Sequence, residues 1–115
     1  MSFQIVGLKR CSTCVKAKKF LEAHGLEVEF IDVREHVPSA EQLQTWAAAL
    51  GWDKLINKAS QTWRQLDDAA KDLASEAERI ALIQAHPSVM KRPLLIYPGG
   101  FKLGFSEKSY QELVA

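Results

Sequence analysis

The chain has 115 residues, 47% of them hydrophobic, and 15 basic side chains against 14 acidic ones, for a formal net charge of +1. That length suits one domain with a real apolar core, and the balanced charge argues against a nucleic-acid binder. No apolar run approaches a membrane span, and the N-terminus lacks a charged head followed by a long apolar stretch. Neither a membrane anchor nor a secretory signal is therefore expected.

Phe3-Gln4-Ile5-Val6-Gly7 reads as a short buried strand, and Val15 to His24 as a helix. Between them lie the only two cysteines of the chain, in Cys11-Ser12-Thr13-Cys14. A C-x-x-C at a strand-to-helix junction is the thioredoxin-like redox arrangement. Unpaired N–H groups at the helix start, and its positive dipole end, favour a thiolate there. The thiolate is the nucleophilic form. Lys9, Arg10 and Lys16 add positive charge nearby, so Cys11 is the candidate nucleophile. Cys14, one turn into the helix, is placed to resolve a mixed disulfide formed at Cys11. Such close spacing makes a poor structural crosslink and fits a reducing, cytoplasmic setting. The alternatives are a Cys11 that is an inert small hydrophobe, a Cys14 that only packs inward, and a zinc site. Zinc needs about two further ligands, and His24, His36 and His86 form no second pair by spacing; no metal is expected.

Gly25 stands where a helix stop is needed, and Glu27 to Asp32 alternates with period two, as a strand with one buried face does. Pro38 and Ser39 then open a helix, with Ser39 and Gln42 at capping-box spacing. Leu43, Trp46, Ala47 and Leu50 share its inner face, and Gly51 ends it. A third helical stretch is expected from Thr62, with Gln65 three residues on and Trp63 and Leu66 inward. A fourth is expected from Ser75, paired with Glu78, through Ile80, Leu82 and Ile83 to His86, closed by Pro87. Leu94 to Tyr97 and Phe101 to Gly104 read as a hairpin about Pro98-Gly99-Gly100. Ser106 caps a last helix through Tyr110 and Leu113. The order is β-α-β, a helical block, then β-β-α. This predicts an α/β thioredoxin-like fold in a single domain of residues 1–115, with an all-helical insertion at about residues 38–90.

The chain resembles the ArsC/Spx family of arsenate-reductase-related, YffB-like and Spx/MgsR-like bacterial proteins. The resemblance rests on Val6-Gly7-Leu8-Lys9-Arg10-Cys11, Lys16 to Leu21, Gly51 to Asn57, Thr62 to Leu66, Lys91-Arg92-Pro93-Leu94-Leu95 and Leu103 to Glu107, in that order. It implies a thiol-dependent reductase or thiol-exchange protein. Cys11 is then the nucleophile, with Cys14 or glutathione resolving the intermediate. It implies no bound cofactor, but glutathione as co-substrate, or a glutaredoxin-type thiol donor. It also implies a cis bond between Arg92 and Pro93, and a role for Arg92 in stabilising negative charge beside the thiolate. Lys9 and Arg10 would receive the carboxylates of glutathione.

Arsenate reductases of this type grip their oxyanion with several arginines, and Arg92 matches one of them. The positions of the others fall near Ala59-Ser60 and Gly104-Phe105, which supply no charge, and Lys58 is the local substitute. Thiol exchange is thus expected rather than arsenate reduction. The alternative implied by the same resemblance is an Spx-like redox-switched regulator that binds the RNA polymerase α subunit. Gly51 matches a glycine used for that contact, although it also suits a helix end.

Overall fold

The computed structural model describes residues 3–114. Strand β1 (Phe3–Gly7) leads into helix α1 (Ser12–Ala23) and strand β2 (Val28–Asp32). Five helices follow: α2 (Ala40–Leu50), α3 (Trp52–Leu55), α4 (Gln61–Arg64), α5 (Asp68–Lys71) and α6 (Glu76–Ala85). A single 3₁₀ turn, Pro87–Val89, then returns the chain to β3 (Leu94–Tyr97), β4 (Gly100–Leu103) and α7 (Glu107–Val114). The strands form one sheet in the order β2-β1-β3-β4. β2 runs parallel to β1, while β3 is antiparallel to β1 and to β4. This is the thioredoxin-like α/β fold.

Strand periodicity sends alternate side chains to opposite faces of the sheet. Ile5 and Leu95, paired across β1 and β3, join Phe3, Ala17, Leu21 and Tyr110 under α1 and α7. Their neighbours Val6 and Leu94 point the other way, into the larger cluster that holds Leu43, Trp46, Leu55, Ile83, Val89 and Met90 from the helical block.

Local chemistry sets the helix ends. Ser39 accepts the Gln42 N–H at 3.2 Å and Gln42 accepts the Ser39 N–H at 3.0 Å, a complete capping box at the start of α2. Ser75 accepts the Glu78 N–H at 3.2 Å and caps α6. Gly25, at φ +79°, ends α1: its N–H donates to the Glu22 carbonyl and that of Leu26 to the Leu21 carbonyl. That pair of bonds is a Schellman stop, which needs the left-handed backbone that glycine adopts without strain.

Four element starts differ from the sequence expectation. α1 begins at Ser12, three residues earlier than Val15, because Cys11 is its N-cap. α4 is capped by Ser60, whose hydroxyl accepts the Trp63 N–H at 3.1 Å; Thr62 instead bonds Ser88 at 2.7 Å and ties α4 to the 3₁₀ turn. β2 starts at Val28 rather than Glu27, and β4 starts at Gly100 because Gly100 pairs with Tyr97. α3 and α5, each four residues long, are too short to show helical periodicity in the sequence.

Candidate active site

β1 ends at Gly7, and the chain turns immediately. The Cys11 N–H donates to the Leu8 carbonyl and the Val15 N–H to the Cys11 carbonyl, each at 3.0 Å. Cys11 thus sits at the N-cap of α1, with extended backbone angles (φ −77°, ψ 116°). Its neutral thiol closes no cap hydrogen bond. The first-turn N–H groups nevertheless face the sulfur, as they do at any helix start that lacks a capping oxygen.

The two thiols occupy opposite environments. Partial burial pushes the Cys11 thiol up. The N–H of Cys14, the Cys14 thiol, the N–H of Thr13 and the Arg92 guanidinium outweigh that, and hold Cys11 below the ordinary thiol range. Cys14 is fully buried. Burial is the main cause that pushes its thiol up to about 12, and the adjacent Cys11 sulfur reinforces it; the Leu8 N–H and Arg92 oppose the rise. The thiolate is therefore favoured at Cys11 and disfavoured at Cys14. Gly7 makes room for the second: a Cβ there would lie 2.5 Å from the Cys14 Sγ. The missing side chain lets the Cys14 thiol lie against the β1 backbone.

Cys11 opens into a cavity of about 840 Å³, walled by Leu8 to Ser12, Asp32, Arg34, Glu35 and Arg92. Cys11, Lys9, Arg10 and Arg92 are thus brought together. Arg92 precedes Pro93 through a cis bond. Pro93 is buried, and its carbonyl accepts the Gly104 N–H at 2.9 Å. Lys9 lies on the surface, where its ammonium meets Glu35 at 2.7 Å; that ion pair raises its pKa. Lys58 is placed elsewhere. It lies 5.7 Å over the Trp63 ring and lines a separate cavity with Asp53, Lys54, Asn57 and Lys91. Arg34, which the sequence reading did not single out, lines the cavity at Cys11.

Asp32, Arg34 and Gly7 escaped the sequence reading. Asp32 closes β2 and is only 7% exposed. Its carboxylate accepts the Lys9 N–H at 3.0 Å and the Arg34 N–H at 2.8 Å. Burial pushes it up, but those two bonds and the nearby cations hold it below the usual carboxylate range. It therefore joins the loop before Cys11 to the turn that carries Arg34. The available signal was an acidic residue at the buried end of a strand. Among the described residues no three His, Cys, Asp or Glu side chains come together as a metal would require, and no helix is long and apolar enough to cross a membrane.

Comparison with known proteins agrees with this arrangement. Residues 6–113 match the ArsC family. The solved structure of the YFFB protein superposes with a TM-score of 0.90 at 35% identity, over 98% of this chain and 99% of that one. An arsenate reductase (ArsC) related protein from Brucella melitensis superposes with a TM-score of 0.75 at 34% identity, over 97% and 93% of the two chains. The global transcriptional regulator Spx of Streptococcus pneumoniae is 27% identical over 84% of this chain and 74% of its own.

Proposed function

The chain belongs to the ArsC family, and on that premise we propose that it is a cytoplasmic thiol-dependent reductase. The observation that carries the reading is the split between Cys11, partly exposed at the N-cap of α1 and open to the cavity, and Cys14, fully buried against β1. The thiolate is the form that attacks disulfides, and a lowered pKa favours it.

The chemistry runs in two displacements. The Cys11 thiolate attacks one sulfur of a substrate disulfide and forms a mixed disulfide; the other sulfur leaves with the electron pair and takes a proton from solvent. A second thiol, from Cys14 or glutathione, then attacks the Cys11 sulfur and releases the reduced substrate. Glutathione or a glutaredoxin-type donor restores the dithiol. Arg92, Arg34, Arg10 and Lys9 favour anionic groups at the cavity mouth. Lys9 and Arg10 suit the carboxylates of glutathione, with Lys9 exchanging its exposed pairing to Glu35. Pro93 shapes the wall behind the sulfur. Arsenate itself is the weaker substrate here, since Lys58 lies outside the cavity.

The test is a pH titration of Cys11 alkylation in the reduced protein, with Cys14→Ser alongside and Cys11→Ser as the blank. A midpoint below the free-thiol value of about 8.5, together with glutathione-driven reduction of a small disulfide, is expected. An ordinary midpoint, or no alkylation, would remove the nucleophile and the reading with it. The likeness to Spx supports a second reading, a redox-switched regulator of RNA polymerase. Retention of the purified α subunit by one redox state of the protein, without disulfide turnover, would select that reading instead.

A further inference from the structure

A second cleft lies between α1 and β2, lined by Lys9, Val15, Lys18, Lys19, Glu22 and Phe30, with a volume of about 320 Å³. It continues the cavity at Cys11 along both elements. On β2, Asp32 lines that cavity and Phe30 this cleft; two residues apart on a strand, they share one face of the sheet. On α1, Ser12 lines the cavity, and Val15, Lys18, Lys19 and Glu22 the cleft. Their three- and four-residue spacing keeps side chains on one side of a helix. Lys9 lines both and marks their junction. The two displacements at Cys11 make no use of this extension.

Its floor is apolar and its rim is cationic. Val15 is half-buried and packs into neither core cluster. The Phe30 ring is only partly buried against the smaller cluster. Its tip lies 3.8 Å from where a Cβ on Gly7 would stand, the point that the Cys14 sulfur also approaches. The floor thus runs up to the C-x-x-C. Above it stand three lysines against the one carboxylate of Glu22, which lies at the end remote from Cys11. Lys9 pairs with Glu35, and among the described residues no ion pair engages Lys18 or Lys19. Apolar walls with a few polar groups at fixed places are the ordinary make-up of a small-molecule site. A volume of 320 Å³ stands at the small end of that class, which begins at about 300 Å³. Such a space takes one ring or a short chain with its charged end, and not a folded partner.

We propose that this cleft is a specificity subsite, which seats the apolar, negatively charged arm of the disulfide that Cys11 attacks. The substrate class is a disulfide with one half built from an aromatic ring or short apolar chain that ends in a carboxylate or similar anion. The proposal rests on the reading of Cys11 as the nucleophile. The Cys11 thiolate bonds to the sulfur of the seated arm. The disulfide bond breaks, and the outer half leaves with the electron pair and takes a proton from solvent. The seated arm stays on Cys11 as the mixed disulfide until a second thiol releases it. From Cys11 to Lys18 the helix rises by about 10 Å, a span that one ring with its anion and a lysine side chain cover together. Val15 and Phe30 remove the ring from water, and Lys18 and Lys19 meet the charge. A small neutral disulfide gains neither contact.

The experiment measures the rate of first attack on three disulfides by the reduced protein, with Cys11→Ser as the blank. Dithio-bis-nitrobenzoate is aromatic and anionic, dipyridyl disulfide aromatic and neutral, and hydroxyethyl disulfide small and neutral. Alkylation by iodoacetamide and by the small anion iodoacetate reports the thiolate itself and the general field around it. Lys18→Gln with Lys19→Gln is expected to slow the nitrobenzoate disulfide by about fivefold, the scale of two partly exposed charge contacts. Dipyridyl disulfide and both alkylations should stay close to the parent. Val15→Asn exchanges residues of similar helix propensity. It is expected to slow both aromatic disulfides by about fivefold, the scale of a lost apolar contact, and hydroxyethyl disulfide not at all. Either variant reacting with the nitrobenzoate disulfide as the parent does overturns the proposal. So does a lysine variant that slows iodoacetate or dipyridyl disulfide equally, which marks a general effect on the site. So does a Val15→Asn that slows hydroxyethyl disulfide equally, which marks damage to the helix start. In each of these cases the parent still attacks disulfides, and Cys11 stands as nucleophile. A parent that attacks none of the three overturns the reading of Cys11 itself, and this proposal with it.

Discussion

The two faces of the sheet do different work. The face toward the helical block holds the larger cluster, with fourteen buried residues. Yet no residue between 38 and 90 lines the cavity at Cys11. The face toward α1 and α7 has a buried cluster of six that includes Tyr110, and Cys14 continues the buried face of α1 beside it, over Gly7; Cys11 packs against the edge of the larger cluster. Most of the apolar bulk thus lies away from the cavity, and only the edge of the larger cluster, at Leu8, reaches Cys11. The block supplies most of the apolar burial, while the small face encloses the Cys14 sulfur. Damage to the two faces should read out in different quantities.

Ile83 is fully buried in the larger cluster. Ile83→Ala is expected to cost about 2–5 kcal/mol, the range for truncating a fully buried aliphatic side chain. The alkylation midpoint of Cys11 should stay where it is in the variant that remains folded. Urea unfolding and pH-dependent alkylation check the two halves of that statement. A shifted midpoint would mean that the block reaches the sulfur, and the separation would fail.

Gly7→Ala strikes the small face. The added methyl meets the Cys14 Sγ at 2.5 Å and its Cβ at 3.3 Å, so α1 must lift from β1 or the thiol must turn. Overpacking of this kind costs about 1–3 kcal/mol. Unlike Ile83→Ala, the change should also expose Cys14 and bring its pKa down from about 12 toward the ordinary thiol value, since burial is the main cause of its elevation. Cys14 would then alkylate at lower pH than in the parent. A loss of stability with Cys14 still unreactive would show that the sulfur has another buried seat.

Much of this division could be read from the chain, and the parts that could not share a cause. Ser39–Gln42, Ser75–Glu78 and Gly25 are local devices: each acts on backbone groups within five residues, so spacing alone announces them. The C-x-x-C between a strand and a helix is equally local. The first turn of α1 was hidden because cysteine is not a usual capping residue, and the helix begins at Ser12 without one of the oxygen caps that mark such starts. Arg34 and Asp32 reach the cavity only when β2 lies beside β1, so their partnership with Cys11 spans more than twenty residues. The same holds for Gly7 against Cys14 and for Tyr110 under α1. Lys58 shows the reverse error. Its position in the chain suggested a charge for the site, and the fold carries it to another cavity, over Trp63.

Arg92→Gln tests the electrostatics of the small face without touching its packing. Arg92 lines the cavity and is the one charged side chain among the causes that lower the Cys11 pKa, but it is the smallest of them. The larger shares belong to the N–H and the thiol of Cys14, with further help from the N–H of Thr13, and a substitution at Arg92 leaves all three in place. Removal of the positive charge stabilises the thiol form relative to the thiolate. The Cys11 pKa therefore rises, and less thiolate is present near neutral pH. Alkylation there should slow by about two- to fivefold, which corresponds to the modest energy of a solvent-screened charge pair. At pH well above both midpoints the two proteins should react equally, because each thiol is then fully ionised. Salt should shrink the difference, as it does for any exposed charge. A slowing that persists at high pH would instead mean that Arg92 contacts the incoming reagent. A rate that does not change at any pH would leave the helix start as the whole source of the thiolate.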